Sequence, residues 1–381
     1  MKTEITKAQL AVANGAVKGL VSKDGASPFS RVRLDVVGPN VSLTGSNGDM
    51  QIEYRVEGET SADGTLALPG GLLGRFVDAM PAGAVEIDGE AGKKVKISGG
   101  EGVTFRLAAA DALDYPVMAG PKAGCGSIDV DATTLKEMLR KVKFAAEPDG
   151  SSRVGLCGVN VKFKDSKLEM TATDGRRLAH VEKDLGPGKD CPKAPDNGVK
   201  GPEFDIILAN KAVNLLFGLL ADEPVTIHAD GSASRFTAND WIMTTKIVDE
   251  KYPEWRRVLP KETAHEATIG RVSFLEALGR AALASGDDNA VKVTLKDGSV
   301  KFEARNDLSA ASAEIACCSI PDGAKATFLF NPKLLKDALD AIDDDDFTLG
   351  FCSENTPVTL KCSIPWLAVI MPMHTEGKKE A

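Results

Sequence analysis

The sequence predicts an α+β fold made of three successive copies of one unit. A pattern of helix, strands, helix and strands recurs along the chain, and corresponding points lie roughly 125 to 140 residues apart, which is the length of a whole domain. A chain of 381 residues can hold two or three domains of about 150 residues each. Aromatic residues make up only 5% of the chain, so we expect cores built mainly from Leu, Val, Ile and Ala.

The first helix of each copy is predicted from its amphipathic periodicity, over residues 6–20, 131–145 and 271–284. A later strand in each copy alternates apolar and polar residues and then reaches a turn-forming Asn or Asp. These strands cover residues 41–47, 168–174 and 300–306. Such alternation indicates sheets with one buried face and one solvated face.

A second helix follows in each copy, over residues 72–80, 210–220 and 332–342. Each leads through a short polar turn into another alternating strand, at 85–87, 225–228 or 347–349. Pro, Gly and charged residues interrupt the pattern near 120–124 and 260–263. The predicted domains are therefore 1–122, 123–260 and 261–381, the last with a short C-terminal tail.

The composition is that of an ordinary globular protein, with 43% hydrophobic and 27% charged residues. The first residues lack the apolar segment of a signal peptide, and no stretch reaches the roughly 18 apolar residues of a membrane span. We therefore expect a cytoplasmic protein with no membrane partner. The seven cysteines form no CxxC pair and are predicted to be buried, reduced thiols. They are Cys125, Cys157, Cys191, Cys317, Cys318, Cys352 and Cys362.

Catalytic and metal-binding signatures are missing from the sequence. It contains no GxxxxGK[ST] loop, no GxSxG turn and no HExxH helix. The four histidines, which are His180, His228, His265 and His374, lack metal-ligand spacing. The acidic run Asp343–Asp346 lacks the ligand spacing of a calcium loop and is predicted to be a solvated helix-to-strand turn. We expect no cofactor, no metal and no enzymatic activity.

Basic residues recur on the predicted helices although the net charge is -9. In the second copy, Lys136, Arg140 and Lys143 fall within about 60° of one another around the helix. Such a stripe is usually a solvated face, but a ring of these units would sum equivalent stripes into one basic channel for DNA phosphates. The other copies contribute Lys7, Lys18, Lys23, Arg271, Arg280, Lys333 and Lys336.

Three segments give the chain a specific likeness to a known family. Residues 171–179 read TATDGRRLA, residues 252–260 read YPEWRRVLP, and residues 369–373 read VIMPM. With the three-domain repetition, they resemble the beta subunit of bacterial DNA polymerase III, the sliding clamp. The resemblance implies a head-to-tail homodimer that forms a six-domain ring. Helices would line the channel around double-stranded DNA, and antiparallel sheets would lie outside.

The resemblance also implies where partners bind. In this family the polymerase, the clamp loader and other clamp-binding proteins insert a short peptide, with Gln and apolar anchors, into a pocket between the second and third domains. Arg177 and Arg257 are expected to hold backbone or acidic groups at its rim. The implied pocket residues are Leu156, Thr173, Gly175, Arg176, Arg177, Leu178, Pro253, Arg257, Val258, Asn331, Val369, Ile370, Met371, Pro372 and Met373.

Two further sets of residues follow from the resemblance. Phe105 and Leu107 are expected to meet Leu283 of a second chain at the dimer interface. The residues expected to face DNA are Lys136, Arg140, Lys143 and Arg153.

Three alternatives stay open. Leu178, Val258 and Ile370 could be ordinary core residues, and the chain could be a specialised or phage-borne clamp that serves a repair or accessory polymerase. An enzyme would need a catalytic cluster at a domain junction. The densest polar junction, around Asp174, Arg177 and Arg257, lacks a nucleophile with its base.

Overall fold

The computed structural model describes residues 1–185, 203–260, 263–286, 289–296, 298–317, 319 and 325–373. Cys191, Cys318 and His374 lie outside these described residues. The helices are α1 Lys7–Val17, α2 Gly70–Ala79, α3 Ala132–Val142, α4 Asn210–Leu219, α5 Arg271–Ala282 and α6 Pro332–Asp340. All six predicted helices are confirmed, with ends that differ from the predicted ones by a few residues.

Twenty-five strands accompany these helices in the described part of the chain. In chain order they are β1 Lys2–Thr6, β2 Arg31–Val37, β3 Asn40–Ser46, β4 Met50–Glu57, β5 Glu59–Ala62, β6 Gly64–Pro69, β7 Ala84–Asp88, β8 Lys94–Gly99, β9 Thr104–Ala108, β10 Gly126–Val130, β11 Gly158–Lys164, β12 Lys167–Thr173, β13 Arg177–Asp184, β14 Phe204–Ala209, β15 Val225–Ala229, β16 Ala233–Thr237, β17 Trp241–Lys246, β18 His265–Gly270, β19 Val291–Lys296, β20 Ser299–Arg305, β21 Ala310–Ala316, β22 Ala326–Phe330, β23 Asp346–Phe351, β24 Val358–Lys361 and β25 Trp366–Ile370.

The threefold repeat predicted from the sequence is confirmed by the order of these elements. The first helices α1, α3 and α5 follow strands β1, β10 and β18, and the second helices α2, α4 and α6 follow β6, β14 and β22. The alternating strands predicted at equivalent places are β3, β12 and β20, and the strands after the second helices are β7, β15 and β23. Each copy is therefore one α+β domain.

The described chain divides into two compact units, and the middle copy contributes strands to both. The first unit holds a five-stranded sheet in the order β5-β1-β7-β8-β9 and an eight-stranded sheet in the order β10-β15-β16-β17-β4-β3-β2-β6. The second holds an eight-stranded sheet in the order β14-β11-β12-β13-β25-β24-β23-β18 and a four-stranded sheet in the order β21-β20-β19-β22. Antiparallel pairing of β4 with β17, and of β13 with β25, joins successive copies edge to edge.

Local sequence explains where several helices begin. Thr6 and Gln9 form a capping box at the start of α1, because each side chain bonds the other residue's backbone N–H. At α6 the Asn331 side chain accepts the Lys333 N–H, and Pro332 occupies the first turn, where its missing N–H is not needed. Asn331, predicted as a pocket residue, is thus the N-cap of α6.

The core of the third copy is richer in aromatic residues than the composition predicted. Phe274 of α5 meets Phe302 edge-on at 4.8 Å and Phe347 at 5.3 Å, and Phe328 meets Phe351 at 5.7 Å between ring centroids. All five rings are buried. The other buried side chains of this copy are mainly Leu, Val, Ile and Ala, as expected, so these rings form a cluster within a mainly aliphatic core.

The cysteines also differ from prediction. All five that the structure describes are free, but only Cys157 is buried, while Cys125, Cys317, Cys352 and Cys362 are half-buried. The prediction of buried thiols is therefore wrong for four of them. Among the described helices, none is long and apolar enough to cross a bilayer.

Candidate functional site

The turn between β12 and β13 is shaped by its own side chains. Asp174 Oδ1 accepts the N–H groups of Arg176 and Arg177 at 2.8 and 2.9 Å, and Thr173 Oγ1 donates to the Arg177 carbonyl at 2.6 Å. Gly175 has φ +82°, a left-handed conformation that Gly adopts without steric cost. The Thr-Asp-Gly-Arg-Arg sequence therefore specifies a tight turn that presents residues 175 and 176 to solvent.

Strand β25 lies beside this turn. Arg177 pairs with Ile370 and Leu178 with Val369, and the Met371 N–H donates to the Arg176 carbonyl at 2.8 Å. Because successive side chains on a strand point to opposite faces, Val369 and Met371 share one face while Ile370 points to the other. The Val-Ile-Met-Pro-Met sequence thus lies against the turn through backbone hydrogen bonds.

A third segment, the short 3-10 helix Trp255–Val258, carries Val258. The Trp255 ring lies 4.3 Å from the His180 ring and 4.4 Å from the Arg256 guanidinium, and Arg256 Nη2 donates to Glu169 Oε2 at 2.6 Å. This stack fastens the Tyr-Pro-Glu-Trp-Arg-Arg segment to the sheet. His180 is buried, and burial lowers its pKa to about 4, so its ring is neutral near pH 7.

These three segments surround a mainly apolar cavity of about 330 Å³, within the size range of ligand pockets. Val369 and Leu178 are buried at its floor, whereas Met371 and Val258 are exposed at its rim. Eight of the residues predicted for the pocket line this cavity, and Pro357 is a lining residue that the sequence did not indicate. The eight are Thr173, Gly175, Arg176, Arg177, Leu178, Val258, Val369 and Met371.

Seven predicted pocket residues do not line the cavity. Ile370 is buried on the opposite face of β25, and the Met373 N–H donates to the Leu329 carbonyl at 2.7 Å. Arg257 is exposed and ion-paired with Glu254 at 2.6 Å rather than turned to the cavity. The remaining four are the α6 cap Asn331, exposed Pro253, half-buried Leu156 and buried Pro372.

Arg177 is held by carboxylates from this chain. Its Nε donates to Asp174 at 3.1 Å, its Nη1 donates to Asp337 of α6 at 2.7 Å, and its guanidinium lies 5.4 Å from the centre of the Phe144 ring. Only 10% of its side chain is exposed. These contacts therefore fix the position of Arg177 in the lining of the cavity. Carboxylates of the same chain accept from two of its five N–H donors. The expectation that Arg177 holds backbone or acidic groups of a partner stays a prediction.

The predicted DNA-facing residues are placed differently from one another. Lys136 and Arg140 of α3 are half-buried, and so is Lys143, which directly follows this helix. Burial lowers the pKa of Lys143. Arg140 is ion-paired with Asp343 at 2.5 Å. Arg153 lies apart from this stripe, beside the turn. Its Nη2 donates to Glu147 at 2.6 Å, and a β-carbon at Gly175 would come within 2.6 Å of its Nη1.

The acidic run after α6 occupies a helix-to-strand turn, as predicted, but it is not merely solvated. Asp343 also accepts a bond from the buried Lys141 ammonium at 2.8 Å, and Asp344 accepts the Ser363 N–H at 2.7 Å. A buried ammonium needs such a partner, because an unpaired buried charge is costly. Within the described residues, no three His, Cys, Asp or Glu side chains form a metal-binding group.

The predicted dimer residues differ in exposure. Leu283, just after α5, is 86% exposed. Phe105 of β9 is half-buried and stacks on Phe76 of α2 with ring centroids 4.1 Å apart. Leu107, two residues along the same strand, is only 2% exposed and belongs to the core of the first unit. Leu107 therefore has almost no surface to offer a second chain.

The family comparison accounts for nearly the whole chain. Three family models match in succession: the N-terminal domain of the DNA polymerase III beta subunit at residues 1–119, its central domain at 129–254 and its C-terminal domain at 256–374. The chain belongs to the DNA polymerase III beta subunit family. The cavity is lined by residues from the central and C-terminal domains of this beta subunit.

Relatives and solved structures agree with this assignment. The beta sliding clamp of Bacillus subtilis is 24% identical over 375 residues, covering 95% of this chain and 96% of the relative. The crystal structure of the DNA polymerase III subunit beta from Pseudomonas aeruginosa has a TM-score of 0.89 at 24% identity, covering 98% of this chain and all of that one. The Helicobacter pylori beta clamp bound to DNA ligase peptide has a TM-score of 0.86 at 21% identity, covering 98% and 100%.

Sequence reasoning missed three residues at the beta subunit cavity. Two of them contact Arg177, and the third lines the cavity itself. Asp337 and Phe144 contact Arg177 from helix α6 and from just after α3, and Pro357 comes from the loop before β24. None of them belongs to a motif. Only their position in the folded chain brings them to the site.

Proposed function

We propose that this beta subunit works as a DNA sliding clamp: a ring that encircles duplex DNA and tethers a replicative polymerase through the cavity between β25, the β12–β13 turn and Val258. The observation that carries the proposal is the succession of three clamp domains, with an apolar cavity formed by the segments that the family resemblance predicts. The protein would act by binding, without catalysis, at the nucleoid in the cytoplasm.

The ring would be a head-to-tail homodimer with six domains, whose boundaries in each chain we place at 1–122, 123–260 and 261–381. Strand β9 is an edge strand of the five-stranded sheet, and β21 is an edge strand of the four-stranded sheet. Free edge strands can pair with another chain through their backbone groups. Exposed Leu283 and half-buried Phe105 would add apolar contact, whereas buried Leu107 would not.

The cavity suits a short peptide with apolar anchors. Leu178 and Val369 supply a buried floor, and Met371 and Val258 supply exposed apolar atoms at the rim. Methionine is flexible and polarisable, so it adapts to different side chains. The polymerase, the clamp loader and other proteins with a clamp-binding motif would therefore compete for one site.

DNA would be held by topology more than by attraction. The net charge of -9 opposes binding to polyphosphate, apart from local basic surfaces such as the helix faces. A closed ring does not need strong phosphate contacts to stay on a circular duplex. It should, however, slide off a linear end.

The decisive experiment loads the protein onto a nicked circular plasmid and onto the same plasmid after linearisation, and then separates bound from free protein by gel filtration. We expect retention on the circle and loss from the linear form. Equal retention on both, with steep salt dependence, would mean ordinary electrostatic binding. A stable monomer of the unmodified chain in sedimentation would also overturn the proposal.

The variant Leu283→Asp tests whether retention on circular DNA depends on the dimer interface. A charge buried at an apolar interface costs several kcal/mol, so we expect monomers that are not retained on circles. Leu113→Asp is the control, because Leu113 is a similarly exposed leucine with no proposed role at the interface. It should remain dimeric and should stay on circular DNA.

A further inference from the structure

Two helix surfaces of the second unit carry cations that are paired with carboxylates of the same helix. On α5, Arg280 Nη2 bonds Glu276 Oε2 at 2.8 Å, and on α6 the Lys336 ammonium bonds the Asp340 carboxylate. Each pair joins residues four apart, and all four residues are exposed. The buried sides of these helices are apolar, with Phe274 and Leu278 on α5 and Leu335 on α6.

These pairs are weak enough to be exchanged. An exposed pair four residues apart on a helix favours its closed form by only about twofold, because water and salt screen it and both side chains lose freedom. A DNA phosphate could therefore take either cation, but each contact would first have to open a pair. The carboxylate and the phosphate compete for the same donor.

Helix stability does not explain the pair on α6. Asp340 is the last residue of that helix, where the negative end of the helix dipole disfavours a carboxylate. The order of the charges, Lys before Asp, is also the less stabilising arrangement for a pair four residues apart. Asp340 thus brings little benefit to α6, while it does neutralise the exposed cation beside it.

We infer that Glu276 and Asp340 act as internal competitors of DNA phosphate, keeping the contact of these helices with the duplex weak so that a closed ring slides freely. The inference rests on the proposed function, since it requires α5 and α6 to face the DNA. A two-chain ring would contain four such pairs. At about twofold each, opening them would weaken duplex binding roughly 10- to 30-fold.

The test compares two double variants that have the same net charge. Glu276→Gln with Asp340→Asn removes both helix carboxylates and changes the net charge of the chain from -9 to -7. Glu53→Gln with Glu266→Gln makes the same change on strands β4 and β18. There, Glu53 pairs with Arg55 and Glu266 with Lys361, both at 2.8 Å. Fluorescence anisotropy on a short labelled duplex, at several salt concentrations, measures binding.

We expect the helix variant to bind the duplex roughly tenfold more tightly than the unmodified protein at low salt. Its plot of log affinity against log salt should be steeper by about 0.9 for each cation that gains a phosphate. The strand variant should stay within about twofold of the unmodified protein. Equal strengthening in both variants would trace the effect to net charge, and no strengthening in either would show that the pairs do not compete; both results overturn the inference.

The plasmid experiment separates this inference from the proposed function. If the unmodified protein is retained on circles and lost from linear DNA while the helix variant binds the short duplex no more tightly, only the competition is refuted. If the unmodified protein is not retained on circles, the clamp function fails and the inference fails with it.

Discussion

The wall of the cavity depends on a carboxylate that lies outside every motif. Arg177 lines the cavity at the first position of β13, and its Nη1 donates a hydrogen bond to the Asp337 carboxylate of α6. We expect Asp337→Asn to loosen this wall. Asparagine keeps the size of the side chain and one oxygen acceptor but removes the charge that attracts the guanidinium.

The magnitude follows from burial. Removing one partner of a fully buried ion pair costs about 3–5 kcal/mol, whereas an exposed pair contributes less than about 1 kcal/mol. Arg177 is 10% exposed and Asp337 is 28% exposed, and Asp174 would still hold Arg177. We therefore expect a loss of about 1–2 kcal/mol in the free energy of unfolding. If the loosened wall weakens peptide binding by a similar amount, affinity falls about tenfold.

Urea denaturation measures the first quantity, and titration with a peptide that carries Gln and apolar anchors measures the second. Asp340→Asn is the matched control, because it makes the same change one turn further along α6 at an exposed pair with Lys336. The control should alter unfolding by less than about 0.5 kcal/mol and should leave peptide affinity unchanged. Asp337→Glu, which restores the charge, should recover part of the loss. The reasoning is refuted if Asp337→Asn and Asp340→Asn behave alike.

Two further predictions concern Met371 at the cavity and the buried His180. Met371→Ala removes apolar area that lines the cavity, and truncating an anchoring contact in a small interface costs about 2 kcal/mol. Peptide affinity should fall about 30-fold while sedimentation still reports a dimer; unchanged affinity would place the partner site elsewhere. For His180, burial lowers the pKa from an ordinary value of about 6.5 to about 4. Its neutral form therefore stabilises the fold fully above about pH 6.5, and this stability is lost as pH falls towards 4. Stability should drop by about 2 kcal/mol between pH 7 and pH 5 from this group, and His180→Asn should remove that part of the pH dependence in urea titrations; an unaltered dependence would exclude His180 as its source.

The repeat, the helices and the alternating strands could be predicted because they depend on local patterns. Apolar spacing along α3 or β12 decides which face is buried, whatever the rest of the chain does. The Asp174–Gly175 turn could be predicted for the same reason, since its hydrogen bonds lie within residues 173–177. The resemblance then indicated which of these local elements form the site.

Exposure of individual side chains could not be predicted in this way. Phe105 and Leu107 lie on the same face of β9, yet Phe105 is half-buried on the Phe76 ring while Leu107 is fully in the core. Periodicity gives the face of a strand but not the depth of each residue on it.

The sequence by itself determined the threefold α+β repeat, the family and the three segments that line the cavity. Only the tertiary structure decided the role of Arg177, because its carboxylate partner Asp337 lies 160 residues away. Contacts between residues far apart in the sequence also decide three other placements. Pro357 lines the cavity, Arg153 lies beside the β12–β13 turn, and Asp343 forms an ion pair with Arg140. Hydrophobic periodicity acts between neighbours in the chain, whereas the direction of a charged side chain depends on whichever opposite charge the fold brings within about 4 Å of it.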